Sequence, residues 1–143
     1  MAIMIVIIGV LWFYMFVQNV IEAMRALAIY SDILYDQGRD TAVSEENQEI
    51  RDRVAQMSDK QKFTAEHFHD FNTLWNDEGI RKTLKFKHMF QLIDTAEYLF
   101  ENMEKYYHDD YIPTFKDLVH SRQVSDGQIT STHTMERMWI VFD

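Results

Sequence analysis

Cysteine is absent from the 143-residue sequence, and proline and glycine are scarce, with one and four residues. The missing cysteine excludes a disulfide framework, a thiolate zinc site and a cysteine nucleophile, and it fits a cytosolic protein. With so few turn-forming residues, we expect long helices joined by few loops. Positive charge is also scarce, because 14 lysines and arginines face 23 acidic residues and leave a net charge of −9. Nucleic acid is therefore disfavoured as a partner, since phosphate binding requires clustered lysine and arginine.

Charge is missing altogether from the amino-terminal segment. No charged residue occurs between Met1 and Ile21, and positions 1–17 are almost wholly apolar. About 20 apolar residues are needed to cross a membrane, so the segment is marginal as a span. It is also a poor signal peptide, because no lysine or arginine precedes it and no small-residue cleavage site is evident. Hydropathy leaves three interpretations open: a signal anchor, a buried helix, or an aberrant start that replaces the true amino terminus.

Beyond this segment, apolar residues recur at the spacing of amphipathic helices. A stripe at three- and four-residue steps predicts one long helix that ends between Leu34 and Gly38, with Gly38 as its C-cap. The stripe comprises Val17, Val20, Ile21, Met24, Leu27 and Ala28. Asp94 and Thr114 are the expected N-caps of two later helices. The later helices are predicted from Ser44 to Met57, Phe63 to Trp75, Asp77 or Glu78 to Phe86, Asp94 to Tyr106, and Pro113 to His120.

The pattern changes after Gly127. Residues 129–142 are rich in threonine, isoleucine, valine and tryptophan, which predicts two strands. With 47% hydrophobic and 14% aromatic residues, the chain is able to bury a core. The sequence therefore predicts a mostly α fold, a helical bundle followed by a short carboxy-terminal two-strand segment. We divide it into an apolar segment at 1–18, a helical domain at 19–121 and a third part at 122–143.

Five short motifs occur in order between Leu74 and Gly127, at spacings that match one pattern without an insertion or deletion. They are Leu74-Trp75 with Asp77 and Gly79-Ile80; Gln91-Leu92 with Asp94-Thr95-Ala96 and Tyr98; Tyr111-Ile112-Pro113-Thr114 with Asp117; Arg122; and Gly127. In this order and spacing they resemble the helical domain and first switch of heterotrimeric G-protein α subunits. The resemblance implies that residues 19–121 are that helical domain, and that 122–143 hold the first switch and partial strands of the GTPase domain.

The resemblance also implies what the matched residues do. Arg122 is implied to be an arginine finger, a planar cation placed on the charge that develops during γ-phosphate transfer. Ser125 is implied to ligate Mg²⁺, in place of the switch threonine. The residues implied to contact the nucleotide are Asp94, Thr95, Val119, His120, Ser121, Arg122, Gln123, Val124, Ser125 and Asp143. The implied ligands are GTP or GDP with Mg²⁺, and the implied partners are a βγ dimer and a G-protein-coupled receptor at the inner face of the plasma membrane.

Two nucleotide-binding motifs are missing from residues 1–143. No glycine is followed by lysine, so there is no Gly-Lys-Ser/Thr P-loop, and no asparagine is followed by lysine, so the guanine-reading Asn-Lys-x-Asp is absent. Met89, His120 and Asp126 also depart from the family pattern, and His120 lacks the permanent charge of the arginine it replaces. We therefore expect these residues alone to be inactive as a GTPase.

Two functional hypotheses remain. The first is a truncated or atypical G-protein α subunit, which signals by binding and hydrolysing GTP. The alternative is a non-catalytic helical interaction module that mimics the helical lobe and contacts a membrane through residues 1–21.

Overall fold

The computed structural model describes residues 2–58, 61–107 and 114, and every regular element within them is helical. The α-helices are α1 (Ala2–Asp36), α2 (Gln48–Ala55), α3 (Ala65–Trp75), α4 (Glu78–Leu84), α5 (Ala96–Glu101) and α6 (Met103–Tyr106), with 3₁₀ turns at Glu45–Asn47 and Lys87–Met89. The predicted mostly α fold is therefore confirmed for this part of the chain. Apart from Thr114, the predicted helix from Pro113 to His120 lies outside the described residues, as do the two predicted strands.

The carboxyl end of α1 is closed by a glycine turn. Gly38 has a φ of +87°, a backbone conformation that residues with a Cβ rarely adopt. The Gly38 N–H donates to the Tyr35 carbonyl at 2.9 Å, and the Arg39 N–H donates to the Leu34 carbonyl at 3.0 Å. With the Gln37 N–H, which also donates to the Leu34 carbonyl at 3.1 Å, these bonds satisfy carbonyls in the last turn of the helix. The predicted helix end at Gly38 is confirmed.

One face of α1 forms the centre of the core. All six residues of the predicted apolar stripe are buried, and Val20, Ile21, Met24 and Leu27 are fully so. This face packs against α2, α4 and α5, which contribute buried residues of their own. Those residues include Val54, Ile80, Ala96, Leu99 and Phe100. Because three later helices pack on one continuous helix, α1 sets the geometry of the bundle.

The amino-terminal part of α1 enters the core at Trp12. The Trp12 ring stacks on Phe16 at 5.2 Å between centroids, and both rings meet Tyr106 edge-on at 5.1 Å. The interpretation of a buried helix therefore holds from Trp12 onward. The boundary at residues 18 and 19 falls inside α1 and stays a prediction. Among the described residues, α1 is also the helix that is long and apolar enough to cross a membrane, judged by length and composition alone.

Two predicted helices begin later than expected. The helix predicted from Phe63 starts at Ala65, because Thr64 caps it. The Thr64 hydroxyl accepts from the His67 N–H at 3.4 Å, and His67 Nδ1 accepts from the Thr64 N–H at 3.0 Å. The helix predicted from Ser44 opens with the 3₁₀ turn Glu45–Asn47, and Ser44 makes no side-chain capping bond. The Thr64 cap thus moves the start of α3 by two residues, and a 3₁₀ turn comes before the regular helix α2.

The helix predicted from Asp94 to Tyr106 is corrected in two respects. Asp94 is not its N-cap, since Thr95 occupies that position before α5 and makes no side-chain capping bond. The helix is also divided at Asn102, whose backbone leaves helical geometry between α5 and α6. The Asn102 side-chain amide donates to the Tyr98 carbonyl at 2.8 Å. An asparagine that bonds the backbone of the preceding turn competes with regular helix hydrogen bonding.

Helix α4 approaches the loop after α1 closely enough to require a glycine. Gly79 is buried, and a Cβ built on it would overlap the backbone carbonyl of Ala42. Lys82 adds an ion pair across the same contact, 2.6 Å from Asp40, and a second pair within α4, 2.9 Å from Glu78. Hydrogen bonds to those two carboxylates raise the pKa of Lys82 to about 12. The start of α4 is thereby held against residues 40–44.

We predict that Gly79→Ala lowers the free energy of unfolding by about 2 kcal/mol or more, because the backbone of Ala42 has to move away. The matched control is Gly9→Ala, where a Cβ meets nothing within 4 Å. That change is expected to be neutral or to stabilise by up to about 1 kcal/mol, since alanine is the better helix former. Urea unfolding of the two variants measures the difference. Equal stability of both would contradict the close approach.

Candidate functional site

Two of the residues predicted to contact a nucleotide, Asp94 and Thr95, belong to the described part of the chain. They occupy the turn that leads into α5, and Asp94 is exposed whereas Thr95 is buried. The others lie outside the described residues. They are Val119, His120, Ser121, Arg122, Gln123, Val124, Ser125 and Asp143.

Thr95 combines burial with an unused hydrogen-bonding group. The residue is 4% exposed, and within the described residues its Oγ1 atom has no hydrogen-bond partner. Its backbone is engaged, because the Thr95 carbonyl accepts from the Leu99 N–H at 3.0 Å. A buried hydroxyl without a partner is costly, and such groups recur where a ligand or a further segment supplies the bond. The hydroxyl can donate to an oxygen or accept from an N–H.

The turn that carries Thr95 is fixed by packing on both sides. Before it, the Phe90 ring stacks on Tyr30 of α1 at 4.5 Å between centroids. After it, Phe100 of α5 contacts the Trp75 ring at 4.9 Å, and Leu99 is buried in the core. Asp94 therefore stands on a rigid base with its carboxylate facing solvent. Such a carboxylate accepts hydrogen bonds from hydroxyl or amide donors.

Asp77, a residue of the first motif, joins the loop after α1 to the start of α4. The residue is 3% exposed. One carboxylate oxygen accepts from the Gly79 N–H at 2.8 Å, which caps α4. The other accepts from the Asn47 amide at 2.7 Å and from the Ser44 N–H at 3.2 Å. A single buried carboxylate thus satisfies donors from both sides of the contact.

These hydrogen bonds outweigh the effect of burial on Asp77. Burial by itself raises the pKa of the carboxyl, because it disfavours the charged form. Hydrogen bonds from the Asn47 and Ser44 side chains, and then from backbone N–H groups, lower the pKa more strongly. The net result is a pKa below the ordinary value. Asp77 is therefore ionised in the folded bundle and contributes to its stability above mildly acidic pH.

The rest of the first motif is also structural. Leu74, Trp75 and Ile80 are buried, and Arg81 covers the Trp75 ring with its guanidinium 3.8 Å from the centroid. The Arg81 Nε atom also donates to the Trp75 carbonyl at 2.6 Å. Sequence analysis missed the part played by Asn47 in this network, since nothing local links it to a residue 30 positions away. The available signal was the aspartate directly before a helix start.

The described residues hold no group of three or more histidine, aspartate and glutamate side chains suited to a metal ion. Ser125, the predicted Mg²⁺ ligand, lies outside them. What the described part offers is an exposed carboxylate beside a buried hydroxyl, on a turn held rigid by the core. That pair is able to position a polar ligand through hydrogen bonds.

Comparison with known proteins gives a family match for most of the chain. Residues 11–143 match the family described as G-protein alpha subunit. Similar proteins include the guanine nucleotide-binding protein alpha-1 subunit of Glycine max, 28% identical over 117 residues, covering 78% of this chain and 30% of that protein. The alpha-6 subunit of Dictyostelium discoideum is 39% identical over 66 residues, covering 46% and 19%. The chain thus spans less than a third of the length of these relatives.

We predict that Asp77→Asn lowers the free energy of unfolding at pH 7 by about 2 kcal/mol, because the amide cannot accept every hydrogen bond that the carboxylate accepts. The pKa of Asp77 in the folded state lies below its unfolded value of about 3.9. The stabilisation by the Asp77 carboxylate is therefore complete above about pH 3.9 and is lost as the pH falls through the folded-state pKa. The difference between the two proteins should therefore shrink below about pH 4.

Urea unfolding across a pH series measures this, with Asp94→Asn as the control. Asp94 is exposed, and its replacement should change stability by less than about 0.5 kcal/mol at any pH. A constant difference between Asp77→Asn and its parent from pH 7 to pH 3 would disprove the role of the charge.

Proposed function

The chain belongs to the G-protein alpha subunit family, and we propose that its helical bundle covers a guanine nucleotide held by a GTPase domain. In this proposal the turn at Asp94 and Thr95 faces the nucleotide. The observation that carries it is the buried Thr95 hydroxyl, which has no partner within the described residues. A nucleotide oxygen would supply the missing hydrogen bond.

The catalytic step is assigned to residues beyond the described bundle. We propose that Arg122 places its guanidinium on the transferred phosphoryl group, where planar bidentate donors stabilise developing negative charge. Ser125 supplies one hydroxyl ligand to Mg²⁺, which is a hard cation that prefers oxygen. Val119, His120, Ser121, Gln123, Val124 and Asp143 complete the proposed nucleotide contacts.

The phosphate-binding and guanine-reading parts of the site have to come from other sequence. Residues 1–143 contain neither Gly-Lys-Ser/Thr nor Asn-Lys-x-Asp, and the chain spans less than a third of its relatives. We propose that the complete site forms with those motifs, and that the assembly signals with a βγ dimer and a receptor at the inner face of the plasma membrane.

A graft tests this proposal. Residues 19–143 replace the corresponding segment of an intact G-protein α subunit, which supplies the P-loop and the guanine site. We expect slow GTP hydrolysis that falls about a hundredfold or more in Arg122→Ala, since arginine fingers, those of this family included, contribute about 10³–10⁵ in rate. Arg122→Lys should lose nearly as much, because a point charge does not reproduce the planar fork. Single-turnover hydrolysis is the measurement.

Two further variants of the graft separate the other roles. Ser125→Ala should raise the Mg²⁺ concentration needed for hydrolysis, because it removes the metal-binding hydroxyl. Thr95→Val keeps the shape of the side chain, so it should speed GDP release while leaving the stability of the bundle unchanged or slightly higher. The ungrafted chain is the control, and a fluorescent GTP analogue should show no saturable micromolar binding to it. Hydrolysis as fast in Arg122→Ala as in its parent would refute the assignment.

One observation favours a second candidate function, a non-catalytic helical module that contacts a membrane. The amino-terminal part of α1 exposes large apolar side chains, among them Ile3 at 75% and Val10 at 63%. In this alternative the bundle resembles the helical lobe but serves to bind a partner. An active graft whose rate is insensitive to Arg122→Ala is the result that would favour it.

A further inference from the structure

The first ten described residues of α1, residues 2–11, differ from the rest of the bundle, and we call them the apolar tip. They contain no polar or charged side chain, and of those whose burial is described none is buried. The family match begins only at residue 11, so nearly all of the tip lies outside it. We propose that the apolar tip inserts into one leaflet of a lipid bilayer while the bundle stays folded at the surface. The inference deepens the second candidate function and requires no nucleotide.

The length of the tip fits one leaflet. Ten helical residues at about 1.5 Å each extend about 15 Å, and the hydrocarbon core of a bilayer is about 30 Å thick. Burial begins at the end of the tip, since Trp12 is 2% exposed and Phe16 is fully buried. Within the described residues, the part of α1 that precedes the fully buried positions is thus about half as long as a span.

A complete span and the folded bundle exclude each other. A span of about 20 residues that starts at Ala2 would extend to Ile21. It would take Trp12 and Phe16 away from Tyr106, and it would remove Val20 and Ile21 from the core. In the folded chain, 29% of the most apolar 18-residue window of α1 is already buried by protein. Within the tip, Ile8 packs partly against the core, and the other residues whose burial is described are exposed or half-buried.

The boundary of the tip has the chemistry of a membrane interface. Phe13 and Tyr14 follow it and are exposed, and the Tyr14 hydroxyl accepts a hydrogen bond from the Gln18 amide at 2.8 Å. Aromatic residues with one polar end are enriched where hydrocarbon meets the headgroups. The first charged side chains, Glu22 and Arg25, lie two to three turns farther along α1. The polarity of the helix therefore rises in the direction that leads out of a membrane.

Lipid fits the tip better than a second copy of the chain does. A helix that pairs with protein in water keeps a polar outer face, whereas the tip is apolar on every side. Ten residues are also fewer than the roughly 20–30 per partner of a standard protein interface. With a net charge of −9, the chain should prefer zwitterionic to anionic lipid.

Flotation of the full chain with phosphatidylcholine vesicles tests the proposal. We expect the chain to float with vesicles, and the double variant Val6→Lys with Val10→Lys to lose at least about tenfold in partitioning, because charge in hydrocarbon is costly. Both valines are 63% exposed, so the bundle should fold as before. The matched control is Tyr35→Lys, which changes an exposed residue (55%) on the same helix within the bundle and should leave flotation unchanged.

Because the chain lacks cysteine, the variant Ala2→Cys can be labelled at one position to measure depth. We expect a fluorophore there to be quenched by nitroxides on lipid acyl chains and not by a water-soluble quencher trapped inside the vesicles, with the near-ultraviolet circular dichroism of the bundle retained. Quenching from inside with loss of that signal would show a complete span and overturn the proposal. Absence of flotation would also overturn it, as would concentration-dependent dimers that do not bind vesicles. None of these results bears on the Arg122 graft, so the two proposals fail separately.

Discussion

Burial of one face of α1 is the constraint on which the rest of the bundle depends. Helices α2, α4 and α5 pack on this one helix, and its aromatic residues also hold α6 through Tyr106. Side-chain hydrogen bonds also join later segments to α1: Arg25 donates to the Met57 carbonyl at 2.9 Å, and Thr41 donates to the Ser31 carbonyl at 2.7 Å. Short helices of four to eight residues are marginal in isolation, so their geometry comes from what they pack against.

The candidate site inherits its rigidity from that arrangement. Asp94 and Thr95 lie in a turn between Phe90, whose ring stacks on Tyr30 of α1, and the buried face of α5. A polar ligand would therefore meet groups that are already positioned, and no loop would have to become ordered on binding. Asp77 forms hydrogen bonds at a second junction, where the loop after α1 meets α4. In the proposed function the bundle would form one wall of the nucleotide site, and the proposed catalytic arginine, Arg122, follows it in the sequence.

The elements that depend on local chemistry were predictable from the sequence, and those that depend on distant contacts were not. Periodicity and a glycine located the end of α1, and the start predicted at Asp77 or Glu78 agrees with α4, which begins at Glu78 after the Asp77 cap. The break at Asn102 and the cap at Thr95 depend on small differences between competing backbone hydrogen bonds, which residue type alone does not rank. The shared donors of Asp77 and the unpartnered hydroxyl of Thr95 are products of tertiary packing. The motif order identified the family, whereas exposure of the apolar tip required the fold.

Amide hydrogen exchange along α1 of the full chain in water is the most direct measurement of the central claim, that this helix is divided at Trp12 into a core element and a free tip. The account predicts a step in protection near that residue, with residues 15–34 among the slowest to exchange and residues 2–11 faster on the order of a hundredfold. Uniform protection from residue 2 to residue 36 would contradict it, because the tip would then be part of the bundle. Uniformly fast exchange would contradict it too, because α1 would not be the core on which the other helices pack.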